Sequence, residues 1–118
     1  METMNFDNLL AGDYPAVTDI RTVLAGQNLT RGTVLAEDSG NGNKLVPVDS
    51  ASATASIKVP VCILAEDCNA SAVDANALVF LSGAFNENAC TFGGADAAAD
   101  HRAALRDLNI YLKKAVTA

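Results

Sequence analysis

The chain has 118 residues, half of them hydrophobic, and a formal net charge of −6, so a single domain is expected. Twenty-two of the apolar residues are alanine and tryptophan is absent, which leaves a thin core that would gain by burying faces against further copies of the chain. The acidic balance argues against a phosphate-backbone partner, and no apolar run approaches the ~20 residues of a membrane span; neither nucleic acid nor a membrane is an expected partner.

The first region, residues 1–19, carries Glu2, Asp7, Asp13 and Asp19 with no basic side chain. Its apolar residues (Met4, Phe6, Leu9, Leu10, Tyr14, Val17) follow neither helical nor strand periodicity, and Gly12 and Pro15 would break a helix. An extended arm that docks on something fits this pattern; a frayed terminus is the alternative. The acidic start has no apolar h-region, so no signal peptide is expected. Three cysteines without a C-x-x-C pair fit a reducing cytosol.

Regular structure is expected from about Asp19. Thr22–Leu24 reads as a short strand, 26–28 as a turn and Gly32–Ala36 as a second strand. Ser39 to Asn43 is turn chemistry, since Gly and Asn tolerate positive φ. Lys44–Val48 reads as a strand that Pro47 places at an edge or bulge, and residues 49–56 as a small-residue loop. Ile57–Ala65 is the strongest strand signal, apolar enough to be buried on both faces. An acidic loop follows over 66–76, then a strand at Leu78–Leu81, a turn at Ser82-Gly83 and a short strand at 89–92. Gly93-Gly94 closes the β section. Asp96 stands where an N-cap belongs, ahead of a helix over 97–108 with Ala97, Ala104, Leu105 and Leu108 on one stripe. Ile110–Leu112 resumes an extended pattern.

Little in this order suggests a reacting centre. His101 is the only histidine and reads as a surface residue. Cys62, Cys68 and Cys90 lack the paired spacings of structural zinc, so no metal is expected. Gly93-Gly94 is followed by Asp96 and Asp100, which would repel an anion, so no phosphate loop or cofactor is expected. Arg102 and Arg106 lie one turn apart with no carboxylate at i±3 or i±4. Either they are solvated, with a carboxylate from a neighbouring loop, or they form a basic pair for contact between subunits.

Four segments, AGQNLTRGTVL (25–35), VCILAED (61–67), VFLSGAFN (79–86) and DHRAALRDLNIYL (100–112), match in order and spacing a known group. The chain resembles the head decoration proteins of tailed phages, typified by protein D of lambda-like phages. That resemblance implies a mainly β fold of the small β-clip or β-tulip kind, with one short C-terminal helix and an extended N-terminal arm. It divides the chain into residues 1–19, a capsid-binding arm with Met4, Phe6, Leu9, Leu10, Tyr14, Pro15 and Val17 as anchors, and 20–118, a single β-rich domain. It implies a homotrimer that catalyses nothing and binds the major capsid protein. The site is the outside of the expanded head at three-fold positions, where the trimer holds the shell against packaged DNA. Synthesis would be in the host cytoplasm, and Arg102 and Arg106 are the candidate intersubunit contacts. A dUTPase-like trimeric enzyme is the alternative from another class, although its serine-rich phosphate motif and glycine-rich C-terminal arm are missing. A tail or baseplate adaptor is the third.

Overall fold

Short runs of branched and small apolar residues, cut by Gly, Asn and Asp, build a mainly β body. The computed structural model describes residues 16–113. Among them the order is β1 (Val17–Val23), β2 (Gln27–Leu29), β3 (Val34–Asp38), β4 (Lys44–Pro47), β5 (Pro60–Leu64), β6 (Cys68–Ala70), β7 (Ala75–Asn86), helix α1 (Ala98–Arg106) and β8 (Ile110–Lys113). Strands β4–β3, β3–β5, β5–β7 and β7–β1 pair antiparallel. A parallel bridge between Val23 and Leu45 returns β1 to β4, so five strands close into a ring. β8 lies parallel to the far half of β7, Gly83–Asn86 against Ile110–Lys113. β2 and β6 form a separate two-stranded ribbon.

Side-chain alternation sorts the core into two layers. Val23, Leu35, Leu45, Cys62, Leu64, Ala77 and Val79, drawn from all five ring strands, meet in one cluster. The alternate residues Val34, Ala36, Ile63 and Phe80 face a second cluster, closed by Phe85, Leu105, Ile110 and Leu112. Residues one apart on β3 and β5 thus serve different layers, which explains why β5 reads as almost continuously apolar. Helix α1 anchors the outer layer through Leu105, which is fully buried; truncating such a leucine to alanine costs about 2–5 kcal/mol.

Several local expectations shift. β1 begins at Val17, earlier than the sequence pattern shows, and residues 27–29 form β2 instead of continuing a turn. Residues 55–58 are a 3-10 turn that delays β5 to Pro60, and 87–89 are another, so Thr91 contributes only an isolated bridge to Thr33. The acidic loop contains β6, because Cys68 and Ala70 turn inward. The helix stops at Arg106, ahead of the expected end, and Leu108 is 39% exposed. Asn109 takes φ 65° there, a left-handed conformation that ends a helix.

The largest departure is at Gly83. A turn is expected, yet β7 runs through it for 12 residues. Gly83 has φ +142°, and a Cβ there would lie 2.9 Å from Cζ of the buried Phe85 ring. Glycine inside a strand marks a close approach or a change of course, and here the strand exchanges β1 and β5 for β8. Gly83→Ala is therefore expected to destabilise the fold by ~1–3 kcal/mol through backbone strain and overpacking, measured as a lower denaturant midpoint with an unchanged slope.

Candidate functional site

Two constellations stand out, one at the start of α1 and one on the surface. The first joins the loop after β4 to the start of the helix: Ser50 lies 46 residues before Asp96, and His101 five after it. Asp96 accepts from Ser50 twice, from the backbone N–H at 2.7 Å and from the hydroxyl at 2.6 Å. Its Oδ2 also lies 2.6 Å from His101 Nε2. With Asp96 ionised, that ring nitrogen carries the proton and donates. His101, expected at the surface, is 3% exposed and its ring stacks on Phe92 with centroids 5.7 Å apart. Helical spacing could not reveal this, because the partner that buries the imidazole comes from the loop before the helix.

Binding Ser50 and His101 takes Asp96 away from its expected place as N-cap. The cap position is Ala97, and Asp100 reaches back to accept from the Ala97 N–H at 2.8 Å. Beside it, Gly93 donates to the Val48 carbonyl at 2.8 Å, and a Cβ at Gly93 would lie 2.6 Å from that oxygen. The Gly-Gly pair is thus a close crossing of two backbones. Ser, His and Asp are all present, but the aspartate stands between the other two. The Ser50 hydroxyl gives its proton to a carboxylate and has no imidazole to activate it, so this is a clasp and not a nucleophile–base pair.

Cysteine chemistry points the same way. Burial pushes the Cys62 and Cys90 thiols up to about 12, so both are neutral at ordinary pH and poor nucleophiles or metal ligands. Among the described residues, no group of three His, Cys, Asp or Glu side chains is placed to hold a metal ion.

The surface constellation is a groove of about 430 Å³ between α1 and β8, lined by Ala84, Arg102, Arg106, Tyr111, Leu112 and Lys113. The two arginines expected to act together are used differently. Arg102 turns inward: Nη1 donates to the Leu112 carbonyl at 3.1 Å, and Nη2 lies 2.8 Å from Glu87 Oε1. That oxygen is buried and not aligned for a hydrogen bond, so charge pairing holds the contact. The neighbouring-loop carboxylate considered for the pair is therefore Glu87, and it serves Arg102 alone. Arg106 is exposed and meets no carboxylate among the described residues.

Of the expected arm anchors, Met4, Phe6, Leu9, Leu10, Tyr14 and Pro15 lie outside the described residues. Val17 is the first residue of β1 and 52% exposed; Ile20 on the same strand is 64% exposed. β1 pairs with β4 only at Val23. Over Val17–Thr22 its outer edge has no strand partner among the described residues.

The described residues thus form a closed β body with a clasped helix and a strand β1 that exposes Val17 and Ile20. The chain belongs to the bacteriophage lambda head decoration protein D family, whose model matches residues 1–111. Its family is one of phage capsid decoration, a structural role located on the capsid of the virion. No curated protein matches the sequence.

Asp96 gives a pH test of the clasp. The Ser50 hydroxyl, then His101, hold its carboxyl below the ordinary value of 3.8. A depressed carboxylate adds stability in full above its unfolded pKa, and that share is lost as pH falls through the lower folded pKa. The acid limb of Tm against pH should therefore flatten in Asp96→Asn below about pH 4, with a lower Tm than the parent at neutral pH. Asp74, held low by Lys44 and the Ala25 N–H, keeps part of the acid limb in both proteins.

Proposed function

We propose that the protein is a homotrimeric cement of the phage head, bound to the outer surface of the expanded shell at three-fold positions. It contacts the major capsid protein and resists the pressure of packaged DNA without catalysis. The observation that carries this reading is a family match that spans the N-terminal arm as well as the β body.

The body supports it in physical terms. Residues 1–15 lead directly into β1, whose open edge and exposed Val17 and Ile20 suit strand addition. In that mode main-chain hydrogen bonds supply affinity and alternate side chains supply selection. Ordering an arm costs conformational entropy, so one arm binds weakly. Three arms on one trimer raise the avidity by on the order of 10²–10⁴. The small core of a chain this size fits a body that is completed by contact with other copies.

A chain beginning at Ala16 keeps every described strand and removes residues 1–15 of the expected arm, whose last residues, 17–19, belong to β1. It should sediment as a trimer and fail to co-sediment with expanded heads, while the full chain binds expanded heads and not compact precursors. A monomer in both forms would overturn the trimer, and normal attachment of the shortened chain would overturn the arm.

A further inference from the structure

The reversal between β3 and β4 carries a reactive group that the core does not use. Asn41 is exposed at the end of a 3-10 turn over Ser39–Asn41. Among the asparagines of the chain it alone is followed by glycine, and Gly40 stands on its other side. The backbone nitrogen that follows an asparagine can attack the side-chain amide carbon, and a glycine there offers no side chain to hinder the approach. Asparagine is counted among the thermolabile residues, and this cyclisation is the reason.

The folded turn holds that reaction back. A 3-10 turn keeps ψ at roughly −20 to −30°, which points the Gly42 nitrogen away from the amide, so the Asn41 backbone must first swing out. Glycine on both sides makes the swing easy. Asp38 opposes it with three hydrogen bonds. Its Oδ1 accepts from the Gly40 N–H at 3.0 Å, its Oδ2 from Asn41 Nδ2 at 2.8 Å and its carbonyl from the Asn43 N–H at 2.9 Å. The Ser39 N–H, given to Ser56 Oγ at 3.0 Å, secures the flank and leaves Asn41 to Asp38. Exposed backbone of this kind opens locally at low free-energy cost.

We propose that Asn41-Gly42 is a site of spontaneous deamidation, gated by the Asp38 carboxylate. When the turn opens, the Gly42 nitrogen loses its proton and bonds to Asn41 Cγ. The Cγ–Nδ2 bond breaks, and Nδ2 leaves as ammonia with that proton. The cyclic imide then takes up one water. Attack at Cγ gives aspartate; attack at the backbone carbonyl carbon gives isoaspartate, whose chain runs through Cβ. Either product removes the donor that held Asp38 Oδ2 and sets a second carboxylate beside it, where like charges repel. The turn then does not close as before. β4 begins at Lys44, and its Leu45 makes the bridge to Val23 that completes the ring, so the loosened reversal lies beside the seam of the barrel.

The test ages the full chain, without phage heads, in neutral buffer at physiological temperature and reads its peptides by mass spectrometry. The mass gain of NH exchanged for O should collect at Asn41, with isoaspartate among the products. Asn88, also exposed on a 3-10 turn but followed by Ala89, should stay intact. Asp38→Ala should raise conversion at Asn41 several-fold, and Asp38→Asn, of nearly the same shape with one acceptor left, should raise it less. Asn41→Gln should lack the acidic species that ion exchange resolves in the aged parent. An Asn41 that stays intact, or conversion spread evenly over the exposed asparagines, would overturn the site. Conversion unchanged or slowed in both Asp38 variants, each shown to be folded by circular dichroism, would overturn the gate. In Asn41→Asp, hydrogen exchange should quicken at Leu24, whose N–H is given to the Leu45 carbonyl at 3.0 Å; unchanged exchange would overturn the loosened seam. The chemistry needs neither a trimer nor a capsid, so its outcome is separate from that of the decoration reading.

Discussion

Strand β7 carries the architecture because, among the described residues, it alone pairs both with ring strands and with β8. Its first half holds β1 and β5 and so closes the ring; its second half holds β8. A strand of 12 residues in a body this small must twist and change partners along its length. Gly83 permits this by adopting a backbone conformation that a side chain would resist. Phe85, two residues on, fills the space that the missing Cβ leaves and joins Leu105, Ile110 and Leu112 in the outer core.

The clasp around Asp96 serves the same layer from the other side. It ties the loop after β4 to the loop before α1 and to the helix itself, with polar groups that are mutually satisfied. The Asp96 side chain is only 5% exposed, and an unpaired carboxylate in such a place would be costly. Its partners therefore fix where the helix starts. This is local rigidity made from residues that elsewhere would suggest hydrolysis; their order of contact, and not their identity, decides the role.

Much of this was legible in the sequence. The β class, the single late helix, an apolar strand within Ile57–Ala65, the Gly-Asn reversal over Ser39 to Asn43 and the family all follow from local pattern and motif order. What was not legible depends on tertiary pairing. A serine-glycine pair reads as a turn unless a neighbouring phenylalanine needs the room. An aspartate before a helix reads as its cap unless a distant serine claims it. A lone histidine on a polar helix reads as exposed unless a loop aromatic covers its ring. Arg102 and Arg106 look equivalent by spacing, and only Glu87, placed by the end of β7, separates them. The residues expected to anchor the arm gave composition without periodicity, and of these only Val17 falls within the described body.

The neutral thiols have a bearing on durability. A virion leaves the reducing interior in which its parts are made and meets oxygen and peroxides outside. Oxidation of cysteine proceeds through the thiolate and stepwise toward acids that are not reversed. Cys62 and Cys90, whose thiols burial holds in the neutral form, offer such reagents little to attack.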